Sequence, residues 1–187
     1  HYKTQGAEAA ILERDRLLLG RQPIEDIFKL VRSQGIRVVK RQLEERGISG
    51  LYLFHPVAGH CILINYLDDF YRQNFSAVHE YCHALFDSAK KQQVSYWQER
   101  CDGKTLEWRA NSFAGNFLVP EERLKQDYRP PADYDGWLAL IPDIARRFGV
   151  SSQVIVIRFA DIKWIGKELT NQLLRDRRLV IKAEEKI

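Results

Sequence analysis

The chain lacks methionine altogether and carries only three cysteines, Cys61, Cys82 and Cys101. An odd count with no C-x-x-C pair argues against a disulfide framework and against a cysteine metal site. It suits a reducing cytoplasm, where we expect the protein to act. No stretch of about 18 or more apolar residues occurs, so no membrane span is expected. No secretory leader is visible either; the chain opens at His1 without a methionine, so a leader lost upstream stays open. Neither sign of charge dominates. A net charge of +4 permits nucleic-acid contact without demanding it.

What is present suffices for a proper core. With 45% apolar residues in 187, the chain fits one domain, or one with a small appendage. Its centre of interest is His79-Glu80-Tyr81-Cys82-His83, an H-E-x-x-H pentapeptide. The surrounding run, 68–86, reads as one helix. Asp68 and Asp69 suit its start, and Phe75, Val78, Cys82 and Leu85 form an apolar stripe. One turn apart on that helix, His79 and His83 share a face and can hold one Zn²⁺. Glu80 projects roughly 100° round from His79. That offset makes it a poor third ligand but places it to take a proton from a water on the metal. The bland alternative is a pair of helical histidines beside a surface glutamate.

A second run, 105–120, carries Leu106, Ala110, Phe113, Ala114 and Phe117 as a helical stripe ending before Pro120. Glu107 and Asn111 lie one turn apart on it. A zinc site with two histidines needs a third protein ligand and an open position, and Glu107 can be that ligand. Asn111 can hydrogen-bond a ligating imidazole and fix its tautomer. By itself this run also reads as a solvated glutamate beside a capping or buried asparagine. The H-E-x-x-H upstream tips the reading towards a ligand.

Taken together, these residues resemble the ImmA/IrrE family of zinc metallopeptidases. The resemblance is carried by H-E-x-x-H preceded by Arg72-Gln73-Asn74-Phe75-Ser76-Ala77, by E-x-x-A-N-x-F-A from Glu107, by the lead-in Ile62-Leu63-Ile64-Asn65 and by the turn at 47–50. It spans about Ala7 to Ile165. It implies His79, His83 and Glu107 as zinc ligands and Glu80 as the catalytic base. Tyr81-Cys82 departs from the small pair usual there, and Cys82 reads as a small buried hydrophobe.

The remaining elements suggest an α+β fold. Residues 6–19 form a helix with Ala9, Leu12, Arg16 and Leu19 near one face, expected to pack on the sheet. Pro23 opens a second helix, 24–33, closed by Gly35. Strands are expected at 36–43, 50–54 and 60–66, with a turn at 56–59. These make a small antiparallel sheet of about three strands on the H-E-x-x-H helix, with 60–66 as the edge for an extended substrate. His55 and His60, flanking the turn, read as solvated loop residues rather than ligands. The polar run 87–103 reads as a surface connector, and Glu107 makes Asp87 unnecessary as a ligand.

Pro120 suits the first position of a further helix, and Pro130-Pro131 marks a soft boundary. We therefore expect a zincin-like peptidase part at 1–130 and a helical module at 131–187. Around Gly149 that module resembles a helix-turn-helix, with the second helix at 152–164. Ser152, Gln153 and Arg158 are its polar candidates for base edges. Yet the run 154–157 is too apolar for a helix lying in a groove, so packing on the peptidase part is preferred to DNA contact. The basic tail, 167–187, is expected to be a solvated helix. The family resemblance implies a cytoplasmic zinc endopeptidase whose protein substrate is a helix-turn-helix repressor in a stress response, mobile element or toxin–antitoxin system. The competing reading is a non-catalytic regulatory module that docks a repressor or DNA.

Overall fold

The computed structural model describes residues 2–43, 47–87 and 104–181. In chain order the elements are α1 (Tyr2–Arg16), α2 (Ile27–Ser33), β1 (Arg37–Arg41), β2 (Gly50–His55), β3 (Gly59–Asn65), α3 (Phe70–Phe86) and α4 (Lys104–Leu118). Then follow α5 (Glu121–Asp127), α6 (Tyr134–Phe148), α7 (Ser152–Asp161), α8 (Lys167–Arg175) and a 3-10 turn at Arg177–Leu179. The architecture is α+β, as expected. Among the described residues no helix is long and apolar enough to cross a membrane.

The three strands make one sheet in the order β1-β3-β2. The β2–β3 hairpin is antiparallel, with Tyr52 opposite Ile62. The outer strand β1 instead pairs parallel to β3, Val38 opposite Ile62, so the sheet is mixed rather than antiparallel throughout. The cause is topological: the strands run up, down, up, and the third inserts between the first two. Insertion also makes β3 central. The expected edge at 60–66 is therefore wrong, and the edges are β1 and β2. Asn65, at the end of β3, ties both flanking connections down. Its Oδ1 accepts from the Leu43 and Leu67 N–H groups, and its Nδ2 donates to the Ile48 carbonyl.

Helix α3 follows the sheet directly. Asp69 is its N-cap, its side chain accepting from the Arg72 N–H at 3.0 Å. The helix is buried on almost every side, because β2 and β3 cover one face and α4 another. Across the α3–α4 seam, Phe113 and Phe117 stack with centroids 5.3 Å apart, and Tyr81 meets each edge-on at 6.2 Å.

Helix α1 departs from expectation. It packs on α4, not on the sheet, and Leu12 lies 69% exposed. Its buried face is small and ionic: Gly6, Ala10, Glu13 and Arg14. A Cβ at Gly6 would stand 2.3 Å from the Arg109 carbonyl oxygen, so glycine is what lets the two backbones touch. Arg14 donates to the carbonyls of Phe117, Gly20 and Gln22, and Glu13 accepts from Arg16 and from the Tyr81 hydroxyl. An apolar stripe is the wrong signal for such an interface. α2 begins at Ile27 rather than 24, because Asp26 and not Pro23 supplies the cap, accepting from the Lys29 N–H.

In the C-terminal part, α6 starts at Tyr134 under an Asp133 cap and runs through Pro142. Gly149, at φ 64°, makes the left-handed turn into α7, with Ala145, Val150 and Ile155 fully buried around it. α7 ends at Asp161, three residues short of expectation. Ser152 and Arg158 are buried, which removes two of the three polar side chains expected for base contacts and leaves Gln153 exposed. Asn74 of α3 donates to the Gly149 carbonyl, and Arg158 donates to that of Val119, so this pair packs on the α3–α4 body. The tail forms α8 and the 3-10 turn; residues 182–187 and the connector 88–103 lie outside the described residues.

Candidate metal centre

The seam between α3 and α4 brings His79, His83 and Glu107 together, although 24 positions separate His83 from Glu107. His79 Nε2 lies 3.1 Å from one Glu107 oxygen, and His83 Nε2 lies 3.4 Å from the other. The two Nε2 atoms are 3.3 Å apart. Ligands bound tetrahedrally to zinc at 2.0–2.1 Å stand roughly 3.3 Å from one another, so the donor set fits that ion.

The opposite ring nitrogens explain why the Nε2 lone pairs converge. His79 Nδ1 lies 3.0 Å from Asn111 Oδ1, and His83 Nδ1 lies 2.9 Å from Asp87 Oδ2. Both partners accept, so each Nδ1 carries the proton and each neutral ring turns a lone pair inward. Two lone pairs and a carboxylate at such spacing repel unless a cation stands among them. Without a metal, a proton takes that part. Burial alone would lower the His83 pKa, but hydrogen bonds with Asp87 and Glu107 raise it to about 9. Burial would raise the Glu107 pKa, but its hydrogen bonds with His79 and His83 hold it at about 2.

Asn111 thus stands where the sequence suggested. Asp87, unnecessary as a ligand in the sequence reading, is the residue which that reading misses. It is 2% exposed and receives the Arg109 guanidinium at 2.6 Å as well as His83. Its spacing of four from His83 was the available signal. It meets the far side of the ring from the cluster of His79, His83 and Glu107, a position that spacing does not announce.

Glu80 is also buried, and β2 crosses directly over it. A Cβ at Gly50 would stand 3.0 Å from Glu80 Cγ and 3.2 Å from its Oε1. Cys82 behaves as a core residue, fully buried, with burial pushing its thiol up to about 12. His55 is outside the cluster; its Nδ1 accepts the Val57 and Ala58 N–H groups in the hairpin turn. His60 is held by the Tyr52 hydroxyl at 2.7 Å.

One solved structure of similar fold, a Mycobacterium tuberculosis transcriptional regulator, superposes with a TM-score of 0.54 at 17% identity. The match covers 85% of this chain and 50% of that one, so the chain spans about half the regulator's length. No curated protein matches. The family model described as the IrrE N-terminal-like domain of the M78 peptidases matches residues 31–160, which include both helices of the cluster. The chain therefore belongs to the M78 peptidase family of IrrE N-terminal-like domains.

Proposed function

We propose that the protein is a zinc-dependent endopeptidase of the cytoplasm, with a helix-turn-helix repressor as its protein substrate. The observation that carries this is the convergence of His79, His83 and Glu107 to within 3.1–3.4 Å beside the buried Glu80. His79, His83 and Glu107 are the metal ligands in this reading. Zinc held there supplies a Lewis acid for water and for the scissile carbonyl. Asn111 and Asp87 keep the Nδ1 protons in place, so both imidazoles offer Nε2. Glu80 takes the proton from the attacking water and returns it to the leaving amine. The outer edge of β2, which crosses above Glu80, pairs with an extended substrate. Residues 1–130 carry the chemistry, and 131–187 form the helical module packed against it.

Membership of this family supports a repressor as substrate, and likeness to a transcriptional regulator is consistent with it. The second reading, a regulatory module that docks a repressor or DNA without cutting, draws on the same likeness. Burial of Ser152 and Arg158 weighs against its DNA form.

The experiment is Glu80→Gln, with mass spectrometry of a co-encoded repressor after incubation and metal analysis of both proteins. We expect cleavage to fall by about a hundredfold or more while metal content holds, since general base catalysis contributes at least that much. Unchanged cleavage would end the peptidase reading. Repressor binding without cleavage by the wild type would favour the docking module.

A further inference from the structure

A cavity of about 400 Å³ opens between α3, α4 and α7, with Ser49, just before β2, also in its wall. That size suits a side chain and its neighbours, not merely a water. The cavity borders the metal cluster, because Asn111, which holds His79, stands in its wall. Its apolar surface comes from Phe75, Trp108, Val154 and Ile157, and both Trp108 and Ile157 are 49% exposed. Large apolar side chains left in water beside a cavity mark a binding surface rather than a finished core.

Its charged lining is mixed, Lys3, Arg72 and Arg158 against Asp69 and Asp161, and Arg158 is the buried member. This guanidinium is 2% exposed and lines the cavity. Its Nε donates to the Val119 carbonyl, and one terminal nitrogen meets Asp161 at a long 3.4 Å. The other, Nη2, is buried with no acceptor among the described residues. A buried cationic N–H without an acceptor is costly, and an anionic oxygen brought to it recovers that cost. Burial correspondingly lowers the pKa of the group. The start of α7 adds to the field: Ser151 caps it without a side-chain hydrogen bond and lies on the same wall. Gly115 lies beside Arg158, where a Cβ would stand 3.3 Å from the Arg158 Cδ.

We propose that this cleft is a specificity subsite that takes an acidic residue of the protein substrate together with an apolar neighbour, the carboxylate meeting Arg158 and the apolar side chain lying between Trp108 and Ile157. The inference rests on the peptidase reading for the occupant's being a peptide. The test measures binding, not cleavage. Two N-acetylated tetrapeptide amides, alanine–leucine–glutamate–alanine and its glutamine counterpart, are titrated by calorimetry into the full chain carrying Glu80→Gln. We expect the glutamate peptide to bind at least about tenfold more tightly, a charge-assisted hydrogen bond being worth that much. Gln153→Glu and Ile157→Glu each place a carboxylate on the cleft wall at an exposed position, and we expect each to abolish the preference without moving the melting temperature. Equal binding, no binding, or a preference that survives both variants would overturn the proposal. If the preference holds but the wild type never cuts a peptide or repressor, the subsite stands and the peptidase reading falls.

Discussion

Two hydrogen bonds decide what His79 and His83 can do. Asn111 and Asp87 fix the tautomers, and Asp87 is itself neutralised by Arg109. In Asp87→Asn the charge behind His83 disappears and Arg109 loses its partner. Metal affinity is expected to fall about 10–100-fold, measured by competition with a chelator, since outer-shell partners of ligating imidazoles typically contribute that much. An unchanged affinity would leave Asp87 a purely structural acid. The raised His83 pKa makes a second prediction. At neutral pH the metal-free ring is protonated, so metal uptake releases about one proton and the affinity falls as pH drops below about 9. Calorimetry in buffers of different ionisation enthalpy reads that proton directly. The sign for stability is opposite. Without metal, the stabilisation from charged His83 is complete below its ordinary value of 6.5 and is lost as pH rises through about 9. His79 and His83 could be singled out in the sequence because helical spacing puts them on one face, and Glu107 and Asn111 because the same spacing pairs them downstream of an H-E-x-x-H motif. Asp87 could not, because its importance depends on the side of the imidazole it meets.

Among the elements, β2 has the closest hold on the chemistry. It lies on α3 through Gly50, where a methyl group would press on the Glu80 carboxylate. Gly50→Ala is therefore expected to lower kcat/KM by roughly ten- to a hundredfold with metal content unchanged, because small displacements of a reacting group cost that much. Full activity in this variant would mean that the Glu80 side chain yields to the methyl group without loss and that Gly50 does not set its position. The strands themselves could be read from their apolar runs and the turn between them, within a residue or two. Their order could not, because pairing between β1 and β3 is decided by what lies between them in space. α1 is the instructive miss. Its buried face is Gly6, Ala10, Glu13 and Arg14, so a search for apolar periodicity turns the helix to the wrong side. Close backbone approach and a buried guanidinium hold it instead.

For the whole molecule, the cluster of His79, His83 and Glu107 is also a tie between α3 and α4, which carry these side chains from opposite sides of the seam. An ion bound only by the folded protein stabilises it by about 4 kcal/mol when present at a thousand times its dissociation constant. Chelation is accordingly expected to lower the melting temperature by roughly 10 °C, given the usual shift per kcal/mol for a chain this size. A melting curve indifferent to chelator would argue that the three side chains hold no ion. The same seam, extended by α7, forms the cleft that Arg158 lines. By itself the sequence pointed to His79, His83 and Glu107 as candidates, to the helices that carry them and to the α+β class, since helical spacing and strand patterning depend on residues near one another in the chain. Only the tertiary structure decided that β1 runs parallel to β3, that α1 lies on α4, that Asp87 backs His83 and that Arg158 is buried rather than offered to DNA. Each of these joins groups far apart in the chain, and local spacing carries no information about which distant surface will cover a given face.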